Sequence, residues 1–224
     1  MSKSLRNLLV NHLHDKALDR ALSSHATGRL IDIGCGTKPY AGMVRAYADV
    51  HVGLDRADPF NENARVDIVG TAYDIPVASG SFDTAMSTAA LEHLSDPEVA
   101  LRECFRVLRP GGKAIYTVPF IWHVHMAPWD FCRFTKFGLK HVFEKAGFEI
   151  VEINALSGFW TTFGQLFVYY LGRADTFAPV RWLRLVTLAG LVVQGVAFVL
   201  DKLDRAEDWT WMYLVVARKP NNPE

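Results

Sequence analysis

Two spacings of apolar residues alternate along this 224-residue chain, and they predict its elements in turn. Leu5, Leu8, Leu9, Leu13, Ala17, Leu18 and Ala21 recur at intervals of three and four, the mark of a helix with one buried face. The run Leu30-Ile31-Asp32-Ile33 is apolar apart from one acid and breaks on Gly34-Cys35-Gly36, as a buried strand does where it turns beneath a ligand. Residues 51–55, 66–69 and 81–87 read as further short strands. Asp96 and Pro97 suit the cap and first position of a helix, with Val99, Leu101, Phe105 and Leu108 on its apolar face and Arg109-Pro110-Gly111-Gly112 as its stop. A fifth strand at 113–118 ends at Pro119, which has no N–H to give to a ladder. Thr135 caps a helix with apolar positions Phe137, Leu139, Val142 and Phe143 that runs to Gly147. Strands at 149–153 and 209–217 complete the pattern. Strands alternating with helices define an α/β class with a mostly parallel sheet.

Between the last two strands lie about fifty residues, where a usual connection takes roughly five. Residues 159–171 are strongly apolar and aromatic and run into Gly172, which predicts a helix. Residues 185–200 are more apolar still. At ~1.5 Å per residue they reach about 24 Å, short of a ~30 Å hydrocarbon core, so a membrane span is disfavoured. Arg184, Thr187, Gly190, Gln194, Ala197, Asp201 and Asp204 follow one another at helical steps as a polar or small stripe. The leading expectation is packing against the domain or a second subunit, and the next is a helix lying in a membrane interface.

Composition narrows the partners. Twenty-four Lys plus Arg balance twenty-four Asp plus Glu, so no overall field draws the protein to nucleic acid or to an anionic membrane. Cys35, Cys104 and Cys132 are scattered without metal-type spacing, which fits a reducing, cytoplasmic setting. Asn11, His12, His14 and Asp15 interrupt any apolar signal core behind Lys3 and Arg6.

The chemistry concentrates at strand ends. Gly34 and Gly36 lack Cβ atoms, so the backbone can approach a bound molecule closely at the carboxyl end of the first strand. Lys38 and Pro39 stand near the place where a dinucleotide fingerprint wants its third glycine, which argues against a pyrophosphate cradle. Asp55 ends the second strand about twenty residues past the glycine turn, where a carboxylate accepts hydrogen bonds from both hydroxyls of a ribose. Nicotinamide enzymes use the same device, so Asp55 alone leaves the cofactor open.

Taken with the order of the later segments, residues 30–153 resemble class I S-adenosylmethionine-dependent methyltransferases, and within them the type 11 group. The resemblance implies a three-layer Rossmann-like fold, a seven-stranded sheet ending in an antiparallel pair, and S-adenosyl-L-methionine as cofactor. Length and patterning suit one domain over 1–224: an N-terminal helix and loop at 1–29, a cofactor-binding core at 30–153, an apolar helical insertion at 154–208 and a last strand at 209–218. By the same resemblance Asp32, Gly34, Cys35, Gly36, Asp55, Thr71, Ala72, Asp74 and Ser87 contact the cofactor. Thr71 stands where the family has an acid for the adenine amine, and Asp74 is a substitute from the same segment.

The segment 88–94 is similar to the one that borders the methionine part of the cofactor and the acceptor. The loop at 122–135 resembles a type 11 loop with a His, Pro-aromatic-Asp and Arg-x-Thr pattern. Its density of aromatic, imidazole and charged groups marks an acceptor site, with Trp129, Asp130 and Arg133 as substrate contacts. His125 is the first candidate for a general base, with His123 and His93 behind it, because imidazole titrates near neutrality. His123, His125 and Asp130 could together hold a divalent metal, but no further ligand cluster supports them, and no metal is expected. The expected function is methyl transfer to an oxygen of a small, lipid-like or sugar-containing acceptor. Peripheral membrane contact or a homodimer through residues 159–204 is a further expectation; the alternatives are an NAD(P)-dependent oxidoreductase and a non-catalytic adaptor that associates with a membrane or a subunit through residues 185–200.

Overall fold

Strand order in the single sheet is β3-β2-β1-β4-β5-β7-β6, with the direction of winding reversing beside β1. The structure, a computed structural model, describes residues 5–56, 66–172, 185–204 and 206–221. The strands are β1 (Arg29–Ile33), β2 (Val50–Asp55), β3 (Ile68–Val69), β4 (Phe82–Thr88), β5 (Leu108–Pro119), β6 (Glu149–Ala155) and β7 (Met212–Arg218). The helices are α1 (Leu8–His25), α2 (Ala41–Val44), α3 (Pro97–Val107), α4 (Lys136–Lys145), α5 (Phe159–Leu171) and α6 (Leu185–Leu203). Strands β1 to β5 pair in parallel. Strand β7 runs against them: the Gly111 amide donates to the Lys219 carbonyl and the Lys219 amide to the Gly112 carbonyl at one end of β5, and Arg218 reaches Glu149 at the start of β6. The expected seven-stranded, mostly parallel sheet with a final antiparallel pair is therefore present.

Contacts divide the chain into two units. The larger comprises Leu18–Pro119, Val124–Asn154 and Tyr213–Glu224; the smaller comprises Met1–Ala17, Phe120–His123 and Ala155–Met212.

In the larger unit the core of the sheet is apolar on every central strand, with Leu30, Ile31, Leu54, Phe82, Met86 and Ile115 all at most 1% exposed. Helix α3 starts as its sequence dictates: Asp96 accepts from the Val99 amide at 3.2 Å and Pro97 sits at the first position. Thr135 caps α4 through the Gly138 amide at 3.1 Å. In this unit β5 and β3 differ most from their expected bounds. Strand β5 begins at Leu108, because Leu108 pairs with Phe82 and the register then slips so that Lys113 meets Thr84. The Pro-Gly-Gly stretch is that irregularity, and Gly112 has no room for a Cβ, which would lie 2.9 Å from the Arg109 carbonyl. Strand β3 shrinks to two residues, paired with the end of β2.

In the smaller unit α5 and α6 pack through small residues: a Cβ on Gly164 would lie 3.2 Å from Ala197 Cβ, and one on Gly190 would lie 3.2 Å from Val168 Cγ1. Gln194 accepts from the Leu9 amide at 2.9 Å and donates to the Leu5 carbonyl at 3.1 Å. Asp201 reaches across to the start of α5, accepting from the Gly158 and Trp160 amides at 3.0 and 2.9 Å, where α5 lacks a cap of its own. The expected stripe thus faces inward at Gly190, Gln194 and Ala197, while Leu188, Val192, Val196, Val199 and Leu203 point outward. Arg184 lies outside the described residues. The last strand starts at Met212 because 207–209 form a 3-10 turn and Thr210 is occupied with the Leu156 and Ser157 amides. No helix among the described residues is long and apolar enough to cross a membrane.

Candidate active site

The glycine turn closes over the end of β2. Gly34 takes φ +78° and Gly36 φ +50°, values that side-chain-bearing residues rarely adopt. The Gly34 and Cys35 amides both donate to the Leu54 carbonyl, at 2.9 and 3.2 Å, and the Gly36 amide donates to Asp55 Oδ2 at 2.8 Å. A Cβ at Gly34 would lie 2.9 Å from Ala90 Cβ, so the ends of β1 and β4 approach here with no space for a side chain. At Gly36 a Cβ would meet nothing within 4 Å. Lys38, in the left-handed region at φ +52°, sends its ammonium beneath β2 to Asp67, and Gly53 must lack a side chain for it to pass.

The residues expected at the cofactor divide into two groups. Asp55 lies at the strand end with one amide donor on each oxygen, from Arg56 and Gly36, which leaves lone pairs for a diol. Thr71 and Asp74 close a turn around Ala72 through a bridge and a 3.2 Å bond from the Asp74 amide to the Thr71 hydroxyl. Asp32, Cys35 and Ser87 are buried at the same strand ends. Asp32 is 2% exposed with Oδ2 3.2 Å from His51 Nε2; burial raises its pKa against the opposing pull of His51 and Lys38. The Ser87 hydroxyl donates to the Ile33 carbonyl at 2.8 Å, which joins β4 to β1. Burial pushes the Cys35 thiol up to about 12, so it serves as an apolar wall.

Beyond β4 the chain turns through Ala89 at φ +47° into the short helical turn Leu91–His93. The Glu92 carbonyl accepts from the Phe131 and Cys132 amides at 3.0 and 3.2 Å, which ties the loop after β5 to this turn. In that loop Asp130 accepts from Arg133 at 2.6 and 2.8 Å and from the His125 amide at 2.9 Å. The Arg133 guanidinium holds the Asp130 carboxyl well below the usual carboxylate range. His125 and His93 stand edge to face at 4.8 Å between ring centres. Arg56, one residue past Asp55, lies 5.6 Å from the ring centre of Trp129.

Glu92, on the turn beside His93, is a further candidate that no local motif marks. Its side chain is fully buried, and among the described residues neither carboxylate oxygen has a hydrogen-bond partner. Burial raises its pKa to about 7. The available signal was its position beside His93 at the carboxyl end of a strand. His93 and His125 belong to the larger unit, whereas His123 belongs to the smaller. There it lies 4.8 Å from the Tyr169 ring centre and lines an apolar recess of about 730 Å³ with Phe163, Leu166, Phe167 and Tyr170.

Sheet order, glycine turn and strand-end carboxylate define a Rossmann-like α/β domain whose carboxyl edge fits an adenosyl group, because Gly34 and Gly36 keep that edge clear and Asp55 faces it with acceptors. Residues 31–116 match the type 11 family whose description is "Methyltransferase domain", and this segment is a class I S-adenosylmethionine-dependent methyltransferase domain. An O-methyltransferase of Aspergillus nomiae, rstn1, is 28% identical over 162 residues, which is 62% of this chain and 72% of that one. A chloroplastic 2-methyl-6-phytyl-1,4-hydroquinone methyltransferase of Oryza sativa is 30% identical over 166 residues, 66% of this chain and 49% of that one. Shorter matches reach tRNA (carboxymethyluridine(34)-5-O)-methyltransferases, of which this chain spans 14–17%. A solved S-adenosylmethionine-dependent methyltransferase of Thermotoga maritima, described as a "possible histamine N-methyltransferase", superposes with TM-score 0.54 at 26% identity, covering 66% of this chain and 76% of that one.

Proposed function

We propose that this protein transfers the methyl group of S-adenosyl-L-methionine to a hydroxyl oxygen of a small, lipid-like or sugar-containing acceptor. The observation that carries the reading is the meeting of His93 and His125 beside a buried carboxylate, on the segment that leaves β4 next to the glycine turn. The bound cofactor supplies a methyl carbon already activated by a positive sulfur. The chain must then align an oxygen with that carbon, ionise it and exclude water. Asp55 and the Gly34–Gly36 backbone hold the adenosyl part, with Thr71, Ala72 and Asp74 along the base. His125 and His93 ionise the acceptor hydroxyl, and the Asp130–Arg133 pair fixes the loop that carries His125. As the oxygen takes the methyl group, the carbon–sulfur bonding pair stays on sulfur and the hydroxyl proton leaves through this imidazole group.

The acceptor class rests on the smaller unit. The outward apolar residues of α6, joined by Trp160, Phe167 and Tyr170 on α5, suit peripheral contact with a lipid surface. Incubating lipid and soluble metabolite extracts with methyl-labelled cofactor tests this directly. Label in the organic phase, lost in Asp55→Ala and Gly34→Arg, is the expected result. Label only in the aqueous phase removes the lipid assignment, and calorimetry without heat from adenosylhomocysteine removes the whole reading.

A further inference from the structure

We propose that Glu92, His93 and His125 form a binding site for one divalent transition-metal cation, through a Glu92 carboxylate oxygen and the Nε2 atoms of both imidazoles. As a statement about acceptor activation this deepens the proposed function and rests on it; as a statement about metal binding it stands alone.

A carboxylate removed from water is expensive to leave without a partner, and Glu92 is fully buried with both oxygens unbonded among the described residues. Two ring nitrogens face it, His93 Nε2 at 3.7 Å and His125 Nε2 at 3.8 Å from Oε1, with the Arg133 guanidinium also acting on its charge. Those separations exceed a hydrogen bond. They are close to the ~3.0–3.5 Å between ligand atoms that share one cation at bonds of about 2.1 Å. All three ligand atoms lie within 4.8 Å of one another, and His125 sits on a loop, so a rotamer adjustment brings the set together.

The outer partners orient the rings for this use. His93 Nδ1 lies 2.6 Å from the Trp129 carbonyl, which can only accept, so Nδ1 carries the proton and Nε2 keeps its lone pair. His125 Nδ1 lies between Arg133 Nη2 at 3.3 Å and Asp130 Oδ2 at 3.5 Å. Ligation through Nε2 selects the tautomer that gives the Nδ1 proton to Asp130, and Arg133 Nη2 keeps its 2.8 Å bond to the same carboxylate. Two imidazoles and one carboxylate favour manganese, iron, cobalt or zinc over magnesium or calcium, and three protein ligands leave coordination positions open. With both imidazoles ligating, a hydroxyl bound at such a position gives its proton to water or solvent base at neutral pH rather than to His93 or His125, which act as the base only when the cation is absent, and its oxygen is then the nucleophile.

The test uses the full-length protein, stripped with a chelator and titrated with Co²⁺, Mn²⁺ and Zn²⁺ separately. One equivalent is expected to bind with a micromolar or lower dissociation constant, with cobalt giving visible ligand-field bands. His125→Ala and Glu92→Gln should each weaken binding at least 50-fold while adenosylhomocysteine still binds, which shows the fold intact. If Glu92→Gln does not fold, His125→Ala decides. No stoichiometric cation, or binding unchanged in His125→Ala, overturns the site. Adenosylhomocysteine binding without cation binding removes this site alone; cation binding without adenosylhomocysteine binding removes the methyl-transfer reading alone.

Discussion

Asp32 on β1 and His51 on β2 meet across neighbouring strands, carboxylate Oδ2 to imidazole Nε2 at 3.2 Å. With Asp32 2% exposed, the pair supports the turn from inside. Asp32→Ala leaves His51 without its acceptor and should cost about 1–3 kcal/mol. That is a fall in Tm of some 2–4 °C per kcal/mol for a chain of this size. Thermal melting measures the loss. Calorimetry of Asp32→Asn should show adenosylhomocysteine affinity within about tenfold of the parent, and a complete loss would place Asp32 at the ligand.

Asp55 and Gly34 should behave oppositely to Asp32. Asp55→Ala removes the proposed ribose acceptor and the partner of the Gly36 amide, so adenosylhomocysteine affinity should fall by two orders of magnitude or more. Gly34→Ala needs a left-handed alanine whose Cβ meets Ala90, and binding should fall together with stability. Asp55→Ala with unchanged affinity would refute the ribose role.

Acid should release the clamp between α3 and the segment after β3. Arg106 donates to the Ile75 and Val77 carbonyls and to Glu103, whose Oε2 accepts from the Ile75 amide. The Arg106 hydrogen bond holds the Glu103 pKa below its ordinary value. A depressed carboxyl stabilises the fold above its unfolded pKa of about 4.3 and loses that contribution as pH falls through the folded value. The Tm gap between parent and Glu103→Gln should therefore be largest near pH 7 and shrink below pH ~4. A gap independent of pH would refute the linkage.

Burial pushes both Cys35 and Cys104 up to about 12, whereas Cys132 is only half-buried on the loop after β5. Iodoacetamide at pH 8 should label Cys132 first, followed by peptide mass spectrometry. Equal labelling of Cys35 would mean that the glycine turn opens in solution.

In the smaller unit Asp201 supplies the cap that α5 lacks. Asp201→Ala should lower stability by about 1–2 kcal/mol, and Asp201→Asn, which keeps the acceptor, by less. Circular dichroism melts of the two variants separate a lost cap from a general surface effect.

Periodicity and stop residues carried most of the architecture. The Asp96 and Thr135 caps, the Gly34 turn and the Phe159–Leu171 helix all depend on neighbours within a few positions, and such signals survive in a linear reading. What failed to show was long-range. The bulge that lets β5 start at Leu108 needs Phe82 and Lys219 as partners, and nothing near Pro110 announces them. Glu92 looks like an ordinary acid until the chain packs around it. His123 and His125 look like one cluster until the fold assigns them to different units.

Along α6 the usual intuition about safe substitutions inverts. Gln194 is the residue that tolerates least, since exchanging it for leucine would strand the amide of Leu9, although a window of hydropathy would score the change as an improvement. Val192 and Val196, two methyl-rich positions that hydropathy would protect, are the ones that glutamate can replace without disturbing the helix pair, with loss only of the lipid contact proposed for that face.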